Sequence, residues 1–78
     1  MVLNGSFDKE TEKFIKFWQK ELNCIILISE VDGFRYMDLM YLATGKIERD
    51  IPICKTGVDK HTFFIEARKH LRKRRTGA

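Results

Sequence analysis

The dipeptide Asp32-Gly33 separates two runs rich in β-branched and aromatic residues, Cys24-Ile25-Ile26-Leu27-Ile28-Ser29-Glu30-Val31 before it and Phe34-Arg35-Tyr36-Met37 after it. A two-residue hairpin turn needs positive φ at both central positions, which Asp and Gly accept readily. The dipeptide therefore sets a register as well as a turn. With Val31 opposite Phe34, Glu30 faces Arg35, Ser29 faces Tyr36 and Ile28 faces Met37, and the charged pair beside the turn supports that alignment. A lone hairpin is marginal in water. This one needs something to cover it.

The segment before it supplies a cover. Phe7, Thr11, Phe14, Ile15, Trp18 and Leu22 recur at the spacing of one helical face, which predicts a helix over 7–22. Ser6 is positioned to cap it, Asp8 and Glu10 suit the positive end of the helix dipole, and Glu12 and Lys16 form an i, i+4 pair. Phe17 widens the stripe into an aromatic face able to pack on more than one element. A second cover follows Thr56-Gly57, where Asp59 caps a final helix whose buried stripe is Phe63, Phe64, Ala67 and Leu71.

Between hairpin and final helix the pattern is ambiguous. Leu39 to Leu42 are apolar in succession, so residues 38–44 read either as more strand or as a short helix, Leu39 to Thr44, capped by Asp38 and stopped by Gly45. Residues 45–50 read as a polar loop. Ile51-Pro52-Ile53-Cys54 reads as a short edge strand, because Pro cannot donate into a central ladder. The expected fold is a small α+β domain over residues 1–78: helix, hairpin, short helix or third strand, basic C-terminal helix. Both helices should lie on one face of an antiparallel sheet. Phe14, Trp18, Leu22, Ile26, Ile28, Met37, Leu39, Phe64 and Leu71 form the expected core, and residues 72–78 should project from it as a basic extension.

Cys24 and Cys54 lie thirty positions apart among branched aliphatics, with no Cys-x-x-Cys or histidine cluster beside them. They read as reduced core thiols, and neither a metal site nor a cofactor is implied. The opening residues lack the pattern of a signal peptide, and the longest apolar run, Cys24 to Ile28, is far short of a membrane span. The expected location is cytoplasmic, or nuclear in a eukaryotic source.

Charge carries the functional expectation. Six of the fifteen Lys and Arg residues, Arg68, Lys69, Arg72, Lys73, Arg74 and Arg75, fall within eight positions, leaving nine basic against eleven acidic side chains elsewhere. Cations concentrated on one helix suit a polyanion, nucleic acid before an acidic protein or anionic lipid. The expected function is a small non-enzymatic nucleic-acid-binding accessory or regulatory protein, such as a phage or mobile element encodes. DNA stands ahead of RNA, and those six residues would contact phosphates. The alternative is an inhibitor or adaptor docking a protein through its aromatic helix or hairpin edge, and the aromatic surplus leaves room for a homodimer.

Other readings are weaker. A helix-turn-helix placed around Gly45 meets Pro52 inside its recognition helix, at a cost of about 3 kcal/mol, and bulky Tyr41 where helices pack closest. Tyr36 and Tyr41 could stack on bases, yet core or interface packing explains them better. A Cys54–His61 dyad, or an acidic site from Asp38, Glu48 and Asp50 with Lys55, lacks the spacing that catalysis needs.

Overall fold

The ambiguous stretch, residues 38–44, is strand as far as Tyr41 and turn from 42 to 44. A computed structural model describes residues 7–76, in which α1 (Lys9–Leu22) is followed by β1 (Cys24–Val31), β2 (Phe34–Tyr41), β3 (Ile47–Lys55) and α2 (Lys60–Thr76). The three strands form an antiparallel meander in the order β1-β2-β3. With residues 34–41 in one strand, the short helix and the helix-turn-helix both disappear.

Ser6 lies outside the described residues. The cap of α1 is Asp8, whose Oδ1 accepts the Thr11 N–H at 2.9 Å. The helix ends at Asn23, in the left-handed conformation at φ 50°, where its N–H donates to the carbonyls of Gln19 and Lys20. The Glu12–Lys16 pair forms at 3.3 Å. At the hairpin, Asp32 and Gly33 take φ of 50° and 77°. Val31 pairs with Phe34, Glu30 with Arg35, Ser29 with Tyr36 and Ile28 with Met37. The expected register is the observed one.

The third strand is longer than its sequence suggests. Residues 47–50, read as loop, belong to β3 and pair with β2. Two register shifts explain the disguise. Asp38 stands opposite both Arg49 and Asp50, and a further residue is inserted between the partners of Arg35 and Tyr36. Asp50 takes the left-handed conformation at φ 56°, and its N–H donates to Asp38 Oδ1 at 2.8 Å. The second shift breaks the alternation, so Ile53 and Cys54 are both buried although adjacent. Pro52 sits on this edge strand, exposed.

Both helices cover one face of the sheet: α1 packs on β1, α2 on β3, and each on the other. Asp59 Oδ1 accepts the Thr62 N–H at 2.8 Å and so caps α2. Of the expected core, Trp18, Ile26, Ile28, Met37, Leu39 and Leu71 are buried, while Phe14, Leu22 and Phe64 pack against it half-exposed. Ile15, Cys24, Ile51, Ile53, Cys54, Phe63 and Ala67 complete it. Full burial of a large apolar side chain is worth about 1.5–3 kcal/mol, and Phe63, Ile26, Ile28, Met37, Leu39 and Leu71 are the largest side chains buried so completely. Both thiols are free and buried. No helix among the described residues is long and apolar enough to cross a membrane.

Candidate functional site

Contacts along the helix pair show that α1 and α2 run parallel. Lys60, at the start of α2, bridges Asp8 and Glu10 at 2.7 and 2.8 Å. Midway, the rings of Phe14 and Phe64 stack at 4.5 Å. At the far end Arg75 pairs with Glu21 at 3.0 Å and lies over the Trp18 ring. Two parallel helices place both C-terminal ends at one pole of the molecule. Lys20 lies in the last turn of α1, and Lys73, Arg74 and Arg75 in the last turn of α2. Cations there offset the negative ends of both helix dipoles. The turn between β2 and β3 comes to the same pole and adds Lys46.

The six candidate cations have separate fates at this pole. Arg74 is structural: its Nε and Nη2 donate to the two oxygens of Glu48 at 3.0 and 2.9 Å, and its Nη1 donates to the His70 carbonyl at 2.7 Å. The Tyr41 hydroxyl donates to the same Glu48 at 2.5 Å. Arg74 and Tyr41 together hold the Glu48 carboxyl below its usual range, while burial and then Glu48 push the Tyr41 phenol up to about 12. Arg75 is tied to Glu21 and Trp18, and Arg68 lies 5.9 Å from the centre of the Phe14 ring. Within the segment expected to project, residues 72–78, these contacts tie Arg74 to β3 and Arg75 to α1. Residues 77 and 78 lie outside the described residues.

The remaining three cations, Lys69, Arg72 and Lys73, point outward on α2. Lys69 makes an exposed i, i+3 pair with Glu66 at 3.2 Å, a contact worth little in water. Lys73 and Lys46 line an open cavity of about 660 Å³ together with Leu22, Tyr41, Glu48 and Arg74. Sequence reasoning missed Lys46. Its only signal was a place in the turn after β2, visible once residues 38–41 are strand.

The other sequence candidates do not converge. Cys54 is buried and His61 exposed, and burial pushes both thiols up, which disfavours the thiolate. Asp38 serves the β3 bulge and Glu48 holds Arg74. Among the described residues, no three His, Cys, Asp or Glu side chains are grouped to hold a metal ion. Tyr36 packs against Phe34 at 5.2 Å, and the aromatic face of α1 is largely consumed by α2 and the sheet, leaving Phe17 53% exposed. No protein-family model matches the chain, and no curated protein or solved structure matches it either.

Proposed function

We propose that this chain is a small nucleic-acid-binding protein, acting as an accessory or regulatory factor without catalysis. Its basic pole contacts phosphates. The observation that carries the reading is the outward stripe of Lys69, Arg72 and Lys73 on α2, with Lys46 lining the same cavity as Lys73. Phosphate neutralisation by such cations supplies most non-specific affinity and makes it salt-dependent. Arg68 and Arg75 can add reach at the edge of the stripe, whereas Arg74 is committed to Glu48. DNA stands ahead of RNA because the major groove of B-form DNA admits a helix such as α2, while that of A-form RNA is too deep and narrow to be read.

The test is fluorescence-anisotropy titration with duplex DNA, single-stranded DNA and duplex RNA over a salt series. The full chain is compared with Lys46→Glu, Arg72→Glu and Lys73→Glu. We expect micromolar or tighter binding with a log–log salt slope of about −3 to −5, and each substitution should reduce that slope by about one. Circular dichroism of each variant confirms its fold. Absence of binding by the full chain at low salt would overturn the reading and turn attention to an acidic protein partner.

A further inference from the structure

We propose that the uncovered face of the sheet is a homodimer interface, on which a second copy of the chain packs face to face and pairs its Arg49 with Asp38 and its Asp38 with Arg49. This goes beyond nucleic-acid binding and uses none of the residues assigned to it.

An antiparallel sheet with one face in water normally alternates apolar and polar side chains, whereas strands covered on both faces read as continuous apolar runs. β1 is of the second kind from Cys24 to Ile28. Cys24, Ile26 and Ile28 lie under the helices, while Ile25, Leu27 and Val31 point the other way. Met40 from β2 and Ile47 from β3 pair beside Ile25 and extend that outer surface. These five side chains are between 37 and 50% exposed, and four of them, Ile25, Leu27, Met40 and Ile47, line one shallow cavity, a patch of the sort that marks an interaction site.

The charges on the patch identify its occupant. Asp38 and Arg49 line one shallow cavity of about 120 Å³ with Ile25, Leu27, Met40 and Ile47. Asp38 Oδ1 is used by the Asp50 N–H, and Arg49 has no ion pair among the described residues. With one carboxylate beside one guanidinium, the patch has no excess of positive charge to draw a nucleic acid. One acid and one base on a single apolar patch suit a two-fold interface, in which every contact is made twice. Two such sheets pack about 10 Å apart with their strands roughly aligned. The face is about 14 Å wide and about 26 Å long, a footprint of the size found in weak, transient association. Both basic helix layers stay on the outside of the dimer.

Sedimentation equilibrium over a concentration series tests this with wild type, Asp38→Lys, Arg49→Glu and an equimolar mixture of the two variants. Wild type should dimerise, and each variant alone should bring like charges together and self-associate about tenfold or more weakly. The mixture restores both opposite-charge pairs and should recover the dimer mass. A wild type still monomeric at about 200 μM overturns the proposal, since even weak, transient self-association should show at that concentration. So does undiminished self-association of either variant, or failure of the mixture to recover. If Asp38→Lys loses its fold through the bulge, Leu27→Lys decides instead: a folded monomer supports the interface, and a dimer as tight as wild type overturns it.

Discussion

Glu48 serves two donors at once, and its removal would strand both. Without it, the Tyr41 hydroxyl and the Arg74 guanidinium keep their half-buried places but lose their shared acceptor. We expect Glu48→Ala to cost about 1–3 kcal/mol in urea denaturation, near the lower end because Glu48 keeps 31% of its side chain exposed. Arg74→Lys should cost part of this, since an ammonium cannot reproduce the two-pronged contact. A loss below about 0.5 kcal/mol for Glu48→Ala, within the range of ordinary surface substitutions, would mean that the cluster is not structural. His70 lies one turn earlier and titrates in a different window. Burial, then Arg74 and Lys73, hold its pKa below the ordinary 6.5, with Glu66 and the Pro52 carbonyl acting the other way. The unfolded chain therefore takes up this proton first as pH falls, so stability should decline as pH drops through 6.5 toward the lowered folded value. Thermal melts at pH 7.5 and 5.5 check this: His70→Gln, which does not titrate, should lose less than wild type. An equal loss in both would assign the effect to other groups.

Among the elements, the hairpin is the most local and the most exposed to a single substitution. Gly33 sits at φ 77° with only Thr56 Oγ1, 3.9 Å away, near the place a Cβ would occupy. Gly33→Ala should therefore cost backbone strain rather than a clash, about 1–2 kcal/mol, read as a lower urea midpoint with an unchanged slope. A neutral result would mean that the turn relaxes to another type. The same locality made the hairpin legible, because turn chemistry and the alternation of its strands point to one register. Both helices were legible for a like reason, their apolar stripes being local signals, as was the Asp59 cap of α2, whereas the cap read at Ser6 is Asp8 in α1. β3 was not. Its Glu48-Arg49-Asp50 run looks like loop because Glu48 finds its cation twenty-six residues away on α2, Arg49 is on the outer face and Asp50 is a bulge. Residues 38–41 were undecidable for the converse reason: their apolar succession serves two faces of a sheet, and periodicity reads only one.

Across the whole molecule, charge and core are less separable than the sequence suggests. The basic run could be read as an appendage, with everything past Leu71 polar, and its six cations were legible as a cluster. Their division was not. It depends on Glu21, Glu48, Phe14 and Trp18, which reach them only through the parallel pairing of α1 and α2. The end of α2 is thus part of the scaffold. A chain ending at Ala67 would lose Leu71, which is 1% exposed, together with the Arg74–Glu48 and Arg75–Glu21 contacts. Truncating one buried Leu to Ala already costs about 2–5 kcal/mol. A chain of this size has only about 4–12 kcal/mol in all. We expect the truncated chain to lose its cooperative melting transition by circular dichroism, while a chain ending at Thr76 keeps it. Any loss of nucleic-acid binding on the deeper truncation would then report unfolding, and only single substitutions at Lys46, Arg72 and Lys73 separate phosphate contact from fold. A cooperative melt retained by the shorter chain would show instead that residues 68–76 are an accessory to the sheet.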